Sequence, residues 1–87
     1  MNDLPILSDA ETDQELRQFA LFARGNPNAK IHVKRWSKTV TGYEFGYVIV
    51  ANGKVIPTVY VPMTDGTHAR FTFDALISLV NAGWIGD

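Results

Sequence analysis

Apolar residues recur along this chain at two periods, one helical and one extended. Leu16, Phe19, Ala20 and Ala23 fall at i, i+3, i+4 and i+7, the stripe of an amphipathic helix. Upstream, Ser8 with Glu11 or Thr12 with Glu15 forms a capping box, which satisfies amides that a first helical turn leaves without partners. These signals place the helix start between residues 8 and 12, and Gly25 followed by Pro27 ends it. From residue 30 the period shortens to two. Residues 30–38, Lys-Ile-His-Val-Lys-Arg-Trp-Ser-Lys, alternate through Val33 and read as a strand; 39–42 is a turn, 43–50 a second strand and 54–61 a third. Behind Thr72 as N-cap, Phe73, Leu76, Ile77 and Val80 restore the helical period. Gly83 closes this second helix, so that Trp84 packs back on its last turn at Leu79.

Asn52-Gly53 sets the register of the central hairpin. A type I′ turn needs positive φ at both central residues, and Asn-Gly between β-branched runs is its strongest sequence signal. With Ala51 opposite Lys54, pair types alternate along the ladder, and Pro57 falls opposite Val48 at a non-hydrogen-bonded position. Its missing N–H then points away from the second strand, which makes the third strand an edge at that point or leaves its outer neighbour already ended. The same register sorts side chains by face. Val48, Val50, Val55, Pro57, Val59 and Val61 share one face; Tyr43, Phe45, Tyr47, Ile49, Ile56, Thr58 and Tyr60 share the other. If the 39–42 loop joins the first strand, Ile31 and Val33 fall on the valine face. His32, Lys34 and Trp36 then lie on the aromatic face, opposite Ile49, Tyr47 and Phe45.

Asp65-Gly66 offers another tight turn, after which residues 67–72 are either a loop or a fourth strand pairing back on 60–63. The expected architecture is a single α+β domain over residues 1–87, with an N-terminal arm at 1–7 followed by a helix, three or four antiparallel strands and a helix. The order helix, three strands, helix resembles that of the double-stranded RNA-binding domain. The likeness is one of topology only, because that family begins its second helix with phosphate-binding lysines and Phe71-Thr72-Phe73-Asp74-Ala75-Leu76 carries no base.

Length and composition narrow the class. Eighty-seven residues make one domain, and 46% apolar with 20% charged residues is the make-up of a folded chain. The absence of cysteine removes disulfides, thiolate metal sites and cysteine nucleophiles. An acid and a proline stand where a secretory signal would need a positive start, so the cytoplasm is the expected location. The net charge of −1 fits neither a generic polyanion binder nor an acidic DNA mimic. Its distribution is uneven: Asp3, Asp9, Glu11, Asp13 and Glu15 precede residue 16, where they suit a helix N-terminus, while Lys30, Lys34, Arg35 and Lys38 cluster in the first strand.

Catalytic chemistry finds little support. His32 and His68 are far apart and in no ligand spacing, the serines lack a nucleophile elbow, and no glycine-rich phosphate loop is present. The chain therefore reads as a non-enzymatic binding protein with no metal, no cofactor and no membrane partner. It would act by occluding a larger protein or nucleoprotein complex, in the size class of phage-encoded inhibitors of host defence complexes. The expected contact residues are Lys34, Arg35, Trp36, Lys38, Tyr43, Phe45, Tyr47 and Tyr60, because exposed aromatics with neighbouring bases are what interface centres are built from. The same residues suit a single-stranded nucleic-acid-binding module. Homodimerisation through the aromatic face is a third reading. All three require that the first helix leave that face open.

Overall fold

The computed structural model describes residues 7–37 and 42–87. Helix α1 (Asp9–Gly25) starts at the Ser8/Glu11 capping box: Ser8 Oγ accepts the Glu11 N–H at 3.1 Å and Glu11 Oε1 accepts the Ser8 N–H at 3.0 Å. Among the described residues, six strands and a second helix follow in the order β1 (Ala29–Ser37), β2 (Gly42–Ala51), β3 (Lys54–Val55), β4 (Thr58–Pro62), β5 (His68–Thr72), α2 (Leu76–Asn81) and β6 (Ile85–Gly86). All pairings are antiparallel, and the sheet runs β5-β4-β2-β1-β6 with β3 continuing the edge of β2.

The Asn52-Gly53 turn forms as its chemistry requires, with φ of 53° and 78° and Ala51 paired to Lys54. The third strand does not continue unbroken. Val50 pairs with Val55, but Tyr47 pairs with Tyr60, so the register advances by two residues in between. The Thr58 N–H donates to the Ile56 carbonyl at 2.8 Å, closing a three-residue turn centred on Pro57, whose ring already holds φ near the value this turn uses. Pro57 is therefore accommodated by a break between β3 and β4 and is not opposite Val48. The shift brings the β4 backbone over Gly46: a Cβ built there would lie 2.7 Å from the Tyr60 carbonyl oxygen.

Other expectations shift in detail. Ser37 pairs with Gly42, so β1 and β2 are offset by two residues from the expected register, and Trp36, Lys34 and His32 face Tyr43, Phe45 and Tyr47. The expected turn residues 39–41, Lys38 and the arm before Leu7 lie outside the described residues. Residues 68–72 form the fourth long strand. Thr72 consequently pairs with Thr58, their hydroxyls 3.3 Å apart, instead of capping a helix. Helix α2 begins four residues later behind Ala75 and buries Leu79 and Val80, while Ile77 is exposed. Gly83, at φ 102°, ends it, and the Trp84 N–H reaches back to the Leu79 carbonyl. The chain then adds β6 beside β1, so the second helix is not the last element.

The core is one-sided. Phe19 and Ala23 of α1, Leu79 and Val80 of α2, and Trp84 meet Ile31, Val33, Val48, Val50 and Val59 of the sheet. Most of these side chains are fully buried, each contributing about 1.5–3 kcal/mol of transfer free energy. Ala20, although on the expected stripe, is exposed, and so are Leu21 and Phe22. The overall extents of 38 × 37 × 21 Å describe a slab of two layers, one sheet and one tier of helices.

The open aromatic face

Strand alternation sends even-numbered residues of β1 and odd-numbered residues of β2 away from the core. That outer face is not covered by either helix, since both pack on the valine side. Consecutive pairings lay a row of side chains across it: His32 beside Tyr47, Tyr47 beside Tyr60, and Tyr60 beside Arg70. A second row holds Lys34 and Phe45, and the row beyond it Trp36 and Tyr43. Phe45 and Tyr43 are 56% and 45% exposed, which is unusual for large apolar rings and sets this face apart from an ordinary solvated sheet.

The rings hold one another in place. Tyr47 and Tyr60 stack with centroids 5.4 Å apart, the His68 ring meets Tyr47 edge-on at 5.9 Å, and Trp36 meets Tyr43 edge-on at 5.5 Å. Two lysines lie over rings from β1: Lys30 Nζ is 4.5 Å from the centre of Tyr47, and Lys34 Nζ is 4.9 Å from that of Tyr43. No Asp or Glu occupies an outer-face position of β1, β2, β4 or β5, whereas Lys30, Lys34 and Arg70 all do. An acid stands at the rim, where Asp87 Oδ1 lies 3.8 Å from Lys34 Nζ.

Of the residues expected to make contact, Lys34, Trp36, Tyr43, Phe45, Tyr47 and Tyr60 are brought together here. Arg35 is not. It projects to the helix side, where its guanidinium pairs with Glu44 at 3.0 Å and lies 4.7 Å from the Trp84 ring centre and 5.4 Å from that of Phe71. Arg35 thereby closes the end of the core. Lys38 lies outside the described residues. Sequence reasoning missed Arg70 and His68, which reach the face only because the β4–β5 loop has three residues, Thr64-Asp65-Gly66, between the paired Met63 and Thr67. Asp65 secures that loop by accepting from the Thr67 amide at 3.0 Å and its hydroxyl at 2.6 Å, and these bonds hold its carboxyl below the usual aspartate value.

Among the described residues no three His, Asp or Glu side chains gather as a metal site, and no helix is long and apolar enough to cross a membrane. No family model, no curated protein and no solved structure matches this chain.

Proposed function

We propose that this chain is a small non-catalytic binding protein whose outer sheet face is its contact surface, acting by occluding a larger protein or nucleoprotein complex. The observation that carries the reading is the docking of both helices on the valine side, which leaves Trp36, Tyr43, Phe45, Tyr47 and Tyr60 on a face lined with bases. Aromatic rings beside cations, with acids depleted, are the composition of interface centres. The rings are fixed by mutual stacking, so little side-chain freedom is lost on contact. A second copy is a poor occupant, because face-to-face pairing would enclose Lys30, Lys34 and Arg70 from both chains with no acid at an outer-face strand position to offset them.

Affinity capture from cell extract with the wild type and with the Trp36→Ala/Tyr47→Ala double variant tests this reading. The partners enriched by the wild type are expected to fall to background with the variant, whose circular dichroism stays native. Retention of the same partners by the folded double variant would refute it. Sedimentation at micromolar concentration is expected to show a monomer.

A further inference from the structure

We infer that the ligand of the open face is single-stranded nucleic acid, an inference that rests on the reading of this face as the contact surface and names its chemistry. The face is organised in lines. β1 contributes Lys30, His32 and Lys34 at every second position, and β2, the strand beside it, contributes Ile49, Tyr47 and Phe45 directly opposite them. Adjacent strands lie about 4.8 Å apart and alternate residues about 7 Å along a strand. A line of positive and imidazole groups thus runs in step with a line of apolar ones, two of which, Tyr47 and Phe45, are flat rings. A polymer that carries one anionic group and one flat base in every repeat matches this layout, with its backbone on β1 and its bases on β2.

Phe45 is the floor on which a base stacks. It is the most exposed of the Phe, Tyr and Trp rings of the face, and neither lysine lies over it, whereas Tyr47 and Tyr43 are each already covered by one. Lys34 is its cross-strand neighbour and stands where the phosphate of a base stacked on Phe45 would pass. Arg70, across the sheet beside Tyr60, provides a cation on the opposite flank. The strand positions themselves carry no acid, and a phosphate held by Lys34 displaces the rim carboxylate of Asp87, 3.8 Å from Lys34 Nζ. A duplex is a worse match, because its bases are stacked on one another and leave Phe45 without a partner. An acidic protein surface would satisfy the lysines, but it has no reason to require cations and rings in register.

The test uses the full chain and a fluorescein-labelled oligothymidylate of about ten nucleotides, read by anisotropy across a salt series. Three cations engaged on a single strand give a slope of log affinity against log salt of about −2, and Arg70→Ala should lower its magnitude by about 0.7. Phe45→Ala removes an exposed side chain, so the variant should fold, and it is expected to bind roughly five- to a hundred-fold more weakly. The inference is overturned by absence of binding at low salt, by equal affinity for duplex of the same length, by Phe45→Ala binding as well as wild type, or by poly-L-glutamate competing as well as unlabelled oligothymidylate. Amide shift mapping separates this failure from that of the parent reading. If poly-L-glutamate perturbs the open face and the oligonucleotide perturbs nothing, only the nucleic-acid assignment falls. If either probe instead maps to α1, the choice of face is wrong as well.

Discussion

Replacing two glycines by alanine should move stability in opposite directions, and the geometry around each says by how much. At Gly46 a methyl carbon would sit 2.7 Å from the Tyr60 carbonyl oxygen and 3.0 Å from Val59 Cγ1, about 0.7 Å inside ordinary contact with a backbone atom. That carbonyl belongs to the Tyr47–Tyr60 pairing that ties β4 to β2, so it cannot retreat without opening the ladder. Overpacking of this kind costs about 1–3 kcal/mol, and the stiffer unfolded chain returns about 0.4–1 kcal/mol. Gly46→Ala should therefore lose about 1–2 kcal/mol, a fall in Tm of roughly 4–16 °C for a domain of this size. Gly25, the last residue of α1, has nothing within 4 Å of its added Cβ. Gly25→Ala should gain about 0.4–1 kcal/mol from helix propensity and reduced unfolded-state freedom. Urea titration followed by tryptophan fluorescence reads both, and equal m-values would show that the compared states are the same. A Gly46→Ala protein as stable as wild type would mean that β4 does not approach β2 as closely as described, and the placement of Tyr60 on the aromatic face would fall with it.

Trp84→Ala should cost about 3–5 kcal/mol in the same titration, since the ring is fully buried between α2 and the end of the sheet. Arg35→Ala should cost about 1–2 kcal/mol through loss of its contact over Trp84 and of the Glu44 pair, yet leave binding by the open face unchanged at temperatures where it is folded. Glu11 is held below its ordinary value of 4.5 by the Ser8 backbone amide and then by the Ser8 hydroxyl. Because the folded-state value is the lower one, its stabilising contribution is present above pH 4.5 and disappears as pH falls through the folded value. The stability difference between wild type and Glu11→Gln should therefore shrink on acidification below that point, and a constant difference would remove the capping box as its cause.

How far the fold could be read depended on parity. Both ladder registers were off by two residues, at Trp36/Tyr43 and at Tyr47/Tyr60, and an even error leaves the paired side chains on their assigned faces, although Pro57 leaves the ladder for the turn. The aromatic and valine faces were accordingly separable from residues 43–61, with the first strand joining them through a loop of even length. The turn at Pro57 was hidden because an unbroken pairing also explained a proline there, and only the approach of β4 to Gly46 decides between them. Thr72 carries an N-cap signal and a strand signal together, and its pairing with Thr58, fourteen residues away, overrides the local one. Arg35 was grouped with Lys34 and Lys38 by nearness in sequence, although alternation alone places it with Ile31 and Val33. β6 is two residues long and has no periodicity to detect. Which face the helices cover is a long-range outcome of Phe19, Ala23, Leu79 and Val80 docking on the valines, and no local pattern encodes it.

A core confined to one side of a single sheet gives the molecule a simple genetic grammar. Along β1, Ile31 and Val33 belong to the fold, while Lys30, His32, Lys34 and Trp36 stand outside it and share the same backbone. Substitutions at odd positions would be felt as melting, and those at even positions as a change of surface at nearly constant stability. Such a face is free to diversify quickly without endangering the scaffold, one residue in two, strand by strand.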